Sequence, residues 1–228
     1  MSNYKSFCFR STPERLKPSS IGKQMTLMLI LGVGLCLQWS CSTGAETSFE
    51  KSDRFLQSIE NFEDQREISR HGLGHAYFRI DTILQNYDAE QARPLTLAFE
   101  EVWTGVLERI GQLKASFDQV NRRSSAYFSM LDEITSGIQD EQLKQRESQL
   151  NQQMKKEWEV TLQQAAEKLQ AIDELLAGGN DLFKVMLVQS LRASISKEIV
   201  ALKGITKEAE QLLADLQKLS HEGMKLMA

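Results

Sequence analysis

The chain has 228 residues, 41% of them hydrophobic and 25% charged, with 13 glycines, 3 prolines and 7% aromatics. That length holds one elongated or one ordinary globular domain and leaves little room for two enzyme domains, while the composition excludes collagenous, proline-rich and disulfide-scaffold classes and opposes wholesale disorder. Basic residues number 27 against 31 acidic ones, and setting aside the first 45 residues widens this to 22 against 30, a net charge of −8. Nucleic-acid binding rests on basic patches that neutralise phosphate, so the balance argues against a nucleic-acid partner and discourages adhesion of the folded part to anionic lipid.

The amino terminus reads as an address. Lys5, Arg10, Arg15, Lys17 and Lys23 stand against the single Glu14 and lead into the apolar run 25–37 (MTLMLILGVGLCL). Thirteen residues fall short of the roughly 20 that a spanning helix needs but suit the apolar region of an export signal. A start at Met25 would delete every positive charge that makes the signal work. Leu37-Gln38-Trp39-Ser40-Cys41 resembles a bacterial lipobox, with lipidation of Cys41 as its outcome. Cleavage after Ala45, behind Thr43-Gly44-Ala45, is the alternative exit and would release a soluble chain; an uncleaved signal anchor is a third. The three cysteines, Cys8, Cys36 and Cys41, all precede position 42, so the remainder has no thiol and no internal disulfide. Such a chain is safe from mispairing in an oxidising compartment and must stabilise itself by burial. The division expected is therefore 1–45 as signal segment and 46–228 as the folded domain.

Thr47 and Glu50 are spaced as a capping box opening a first helix. Its apolar stripe, Phe55, Ile59 and Phe62, lapses at Arg66 and Ser69 and resumes at Leu73, Tyr77, Ile80, Leu84 and Tyr87. This predicts a stalk in the first half, a bundle helix in the second, and a kink or fraying at Gly72 and Gly74. Pro94 fits the first turn of a second helix. Its stripe runs through Leu95, Phe99, Val102, Val106, Ile110, Leu113, Phe117, Val120, Phe128, Leu131, Ile134 and Ile138 in steps of three and four, skipping a turn at Ser124. Gly137 stops it and Asp140 caps the next, which carries Leu143, Leu150, Met154, Trp158, Leu162, Ala165, Leu169, Ile172 and Leu176. Gly178-Gly179-Asn180 predicts a tight reversal. A last helix then follows through Leu182, Val185, Val188, Leu191, Ile195, Ile199, Leu202, Ile205, Ala209, Leu212, Leu216 and Leu219, close to a 3.5-residue repeat. The fold expected is all-α, a long antiparallel bundle or coiled coil of three to four helices, the later ones near 60 Å long at 1.5 Å per residue.

Few residues point to chemistry. His71 and His75, four apart on one helix face, give a metal two ligands where a site needs three or four, and no Glu-x-x-His or Cys-x-x-Cys-His run occurs. Neither glycine pair follows a strand or carries the lysine and hydroxyl of a phosphate loop, and no Gly-x-Ser-x-Gly elbow is present. No catalytic, metal or cofactor site, and no small-molecule substrate, is therefore expected. Arg122-Arg123-Ser124-Ser125 interrupts the stripe. With Tyr127, Arg122 and Arg123 are candidates for a polar core layer that fixes register, or for an interaction patch.

Glu108-Arg109-Ile110, Ser125-x-x-Phe128-x-x-Leu131-Asp132-Glu133-Ile134, Asp181 with Leu191-x-Ala193, and Leu212-Leu213-Ala214-Asp215-Leu216 together resemble the exported bacterial family catalogued as domain of unknown function 2959. The resemblance spans most of 55–220 and implies export, a helical coiled-coil-rich fold and no known activity. It departs at Met130, where that family tends to carry Trp, and at Leu187-Val188-Gln189-Ser190, which replaces a Lys-His-Asn run. The function expected is a non-enzymatic envelope lipoprotein, membrane-held through Cys41, whose bundle meets a protein partner or itself along an exposed helix face. The alternative is a periplasmic ligand-binding or sensory bundle.

Overall fold

A computed structural model describes residues 47–85, 92–192 and 198–227. The expected export signal, Cys41 and the expected cleavage point at Ala45 lie outside the described residues, as do Tyr87, Ala193 and Ile195. The helices belong to one compact unit, Glu46–Ala228. They are α1 (Ser48–Gln85), α2 (Ala92–Ser136), α3 (Glu141–Leu191), α4 (Glu198–Asp215) and α5 (Gln217–Met227). Among the described residues there is no strand, and the fold is an all-α bundle.

Helix ends form where the sequence supplies caps. The Thr47 N–H donates to Glu50 Oε2 at 2.7 Å and the Glu50 N–H to Thr47 Oγ1 at 3.2 Å, the reciprocal pair of a capping box. Pro94 sits in the first turn of α2, and the Gly137 N–H closes that helix on the Ile134 carbonyl at 3.1 Å. Asp140, in extended conformation, accepts from the Gln142 and Leu143 N–H groups at 2.9 and 3.0 Å and so starts α3.

With α4 and α5 taken together as one column, each member of the bundle packs on two others. α1 lies against α2 on one side and α4–α5 on the other, and α3 does the same, so α1 and α3 occupy one diagonal. Ring contacts fix the direction. Phe55 meets Tyr127 at 5.3 Å and Trp158 edge-on at 5.4 Å near one end, while Phe99 meets Phe183 at 5.8 Å towards the other. Neighbours are thus antiparallel, the up-down-up-down bundle that short connections favour.

Three expectations for α1 are corrected. The first half of α1 is not a stalk: Phe55, Ile59 and Phe62 are completely buried. The stripe did not lapse there, because Arg66 and Ser69 also face inward, with the Ser69 hydroxyl donating to the Arg109 carbonyl at 3.3 Å. α1 also runs unbroken through Gly72 and Gly74, and Gly72 lies where the Arg109 side chain crosses, a Cβ there falling 2.8 Å from Nη1.

Nor does the chain reverse at Gly178-Gly179-Asn180. α3 continues for 51 residues, about 76 Å at 1.5 Å per residue, and its end moves to Arg192, whose N–H bonds to Gln189 and Ser190 carbonyls. Gly179 is needed for closeness instead of a turn: a Cβ would stand 2.7 Å from two atoms of the buried Trp103 ring. The core stripe therefore passes through the glycine, as Leu169, Ile172, Leu176, Gly179, Phe183, Met186 and Ser190. Val185, Val188 and Leu191, expected in the last helix's seam, are exposed on α3. The last helix breaks instead at Leu216, between α4 and α5.

Adjacent glycines separate the two explanations. Gly178→Ala should raise stability by up to about 1 kcal/mol, because its Cβ finds open space beyond an ordinary 3.9 Å contact with Ile205. Gly179→Ala should lower stability by about 1–2 kcal/mol, since overpacking against a rigid ring outweighs the helix-propensity gain. Urea titration of both variants checks this; equal losses in both would restore the turn.

Candidate functional site

The largest concentration of buried charge lies midway along α1. Arg66 is 2% exposed, and its three nitrogens are all engaged. Nε and Nη2 donate to the two carboxylate oxygens of Glu63 at 2.9 and 2.6 Å, Nη2 also donates to Glu67, and Nη1 donates to the Leu213 carbonyl at 3.1 Å. Glu63 in turn accepts from the Ser220 hydroxyl at 2.7 Å, and Arg70 holds the other oxygen of Glu67 at 2.9 Å. One arginine of α1 thus ties together α4, through Leu213, and α5, through Glu63 and Ser220.

The α4–α5 break explains why the guanidinium sits there. Leu213 is in the last turn of α4, where carbonyls have no helical N–H ahead of them and the helix dipole favours a cation. Burial pushes the Glu63 carboxyl up, but hydrogen bonds from Arg66 and Ser220 with the Arg66 charge outweigh it, leaving the carboxyl below its ordinary range. Glu67 is lowered chiefly by the Arg70 bond, and Arg66 is raised chiefly by Glu63. With each of its three nitrogens bonded within the protein, this arginine acts as a clamp on register.

The residues singled out in sequence fall elsewhere. Arg122 is exposed and Arg123 half-buried, so neither forms a polar layer in the core. The buried polar position of that stretch is Ser124, whose hydroxyl returns to the Asn121 carbonyl at 3.0 Å. Tyr127 is buried between Phe55 and Phe128, and burial raises its phenol pKa. The polar layer on α1 was missed because Arg66 reads as an interruption; the signal was Glu63, Arg66 and Glu67, one turn of mutually pairable charge set inside an otherwise regular stripe.

His71, His75 and His221 are exposed. Among the described residues no group of three or more His, Cys, Asp or Glu is disposed to hold a metal ion, and no helix is long and apolar enough to cross a membrane. The Nε1 atoms of Trp103 and Trp158 and Oε1 of Gln65 are buried without partners. A cleft of about 250 Å³ opens between α3 and α5, lined by Met154, Glu157, Trp158, Thr161, Glu222, Lys225 and Leu226, far along the chain from Arg122 and Arg123. No protein-family model, curated protein or solved structure matches the chain.

The charged layer carries a pH dependence. Because the folded Glu63 carboxyl is depressed, its contribution is present above the ordinary value of 4.5 and fades as the pH falls below that value through the depressed one. Glu63→Gln should cost up to about 3 kcal/mol near neutral pH by stripping a buried cation of a partner, and Arg66→Met should cost about 3 kcal/mol or more by leaving Glu63 and the Leu213 carbonyl without their donor. Urea titrations across the acid range should show Glu63→Gln with the flatter acid limb. An unchanged limb would remove Glu63 from the account.

Proposed function

We propose that the chain is an exported, lipid-anchored envelope protein, without enzymatic activity, whose helical bundle works as an interaction module. The observation that carries the location is sequential: a positive flank, a short apolar run and Cys41, with no thiol after it. The interaction role is supported by what the bundle leaves uncovered, since Ile134, Leu143 and Leu150 stay about half exposed on the ends of α2 and α3 nearest the α2–α3 connection. Anchoring by several acyl chains would supply the membrane affinity, at about 0.8 kcal/mol per buried CH2.

Incorporation of labelled palmitate in a bacterial host tests the anchor. Label is expected on the native chain and not on Cys41→Ala; no label on the native chain, or equal label on both, overturns it. In-cell crosslinking from Leu143, followed by mass spectrometry, tests the module: capture from that position and not from the exposed Glu174 on the same helix is expected, and equal capture from both counts against it.

A further inference from the structure

The cleft between α3 and α5 has an apolar floor and a charged rim. Trp158, 1% exposed, forms the bottom, with Met154 and Leu226 half-buried beside it. The indole is held from two sides. Phe55 meets it edge-on at 5.4 Å, and Gly223 lets α5 come so near that a Cβ there would stand 3.1 Å from Cη2. A floor fixed by core packing needs no rearrangement to receive a ligand, which spares the ordering cost of binding.

The rim carries two carboxylates, Glu157 and Glu222, against one ammonium, Lys225, a net charge of −1. Their bonding is incomplete. Glu157 accepts from Gln153 Nε2 through one oxygen, at 3.0 Å. Lys225 Nζ stands 3.9 Å from Glu222, beyond hydrogen-bond distance, on a side chain that is 75% exposed. Thr161 spends its hydroxyl proton on the Glu157 carbonyl at 3.1 Å and offers the cleft no free donor. Charges beside the walls leave this balance unchanged. Lys155 and Glu159 share one flank of α3 a turn apart and offset each other, and Lys156 falls on the opposite side of that helix. On α5, Lys218 is turned to Gln164 at 2.9 Å.

The space suits a small guest. At about 250 Å³ it exceeds the roughly 150 Å³ of an apolar cavity that holds benzene, which leaves room for one ring and a short arm.

We propose that this cleft is a binding site for small organic monocations with an apolar body. The body lies against Met154, Trp158 and Leu226, and its ammonium takes the place of Lys225 beside Glu222, with Glu157 as the second acceptor. A monocation brings the charge of the walls to zero, and an anion doubles it. Because the rim is largely exposed, each charge there contributes only a few-fold in affinity, while the apolar floor supplies most of the binding. A guest of this size is held with a dissociation constant of about 1 mM. The site is separate from the Ile134, Leu143 and Leu150 surface and independent of the anchor.

The test titrates the full chain, native or Cys41→Ala, with 2-phenylethylammonium and with phenylacetate, its anionic counterpart of similar size. Methionine methyl groups labelled with carbon-13 report by NMR, Met154 being assigned through Met154→Leu and the buried Met186 of α3, as control, through Met186→Leu. The ammonium probe should shift the Met154 methyl saturably and leave Met186 in place, and phenylacetate should bind at least about threefold more weakly. Glu157→Gln and Glu222→Gln should each weaken the ammonium probe about two- to fivefold, whereas Lys225→Gln, which removes the competing cation, should tighten it by a similar factor. Those three side chains lie on the rim, so the fold survives their replacement. No saturable shift at Met154, equal affinity for the anion, or charge variants that leave affinity unchanged or move it all in one direction would overturn the proposal. None of these outcomes bears on palmitate labelling or on crosslinking from Leu143.

Discussion

A guanidinium taken out of water must keep its N–H groups bonded, and the position of Arg66 follows from where such bonds exist. Two of its acceptors come from its own helix, one turn before and one residue after, which makes the charge tolerable wherever α1 goes. The third comes from the Leu213 carbonyl, and that requirement reaches across the bundle. It pins α1 against the end of α4 and, through Glu63 and Ser220, against α5. An all-apolar seam of leucines and isoleucines would be content one turn up or down, and a hydrogen-bonded charge would not. The surface ion pairs, Lys168 with Asp215 at 3.0 Å and Arg70 near Glu210, repeat that register more weakly.

Glycine has two opposite uses in this chain. At Gly137 it stops a helix, with Asp140 capping the next one shortly afterwards. At Gly72, Gly179 and Gly223 it lets a neighbour come closer than a methyl group would permit: Arg109, Trp103 and Ile59 respectively. Dipeptide punctuation cannot tell these apart. The phase of the stripe can, because Gly179 and Gly223 fall on the inward side of their helices, whereas Gly137 falls after the last inward residue. Trp103 fills the space opened by Gly179, and Trp158 and Ile59 that opened by Gly223, so large and small side chains alternate across the core.

Polar demands inside the bundle are met mostly within single helices. Serines and threonines that face inward mostly return their hydroxyls to carbonyls three or four residues earlier in the same helix, as at Ser58, Ser116, Thr161 and Thr206. Asn151 instead pairs with Thr135 across α2 and α3 at 2.9 Å, close to the α2–α3 connection.

Sequence alone determined the class, the caps and most of the buried face. Steps of three and four residues, the Thr47–Glu50 box, Pro94 and the Gly137–Asp140 stop and start are local matters, decided within one turn of helix by backbone bonding and amphipathic period. What only the tertiary structure decided was the meaning of the interruptions. Arg66 counts as core because a carbonyl is freed on a different helix, 147 residues away. Gly178-Gly179 continues a helix because an indole edge from α2 occupies the space where a side chain would stand. Both are questions of what lies opposite, and no window along the chain contains the answer.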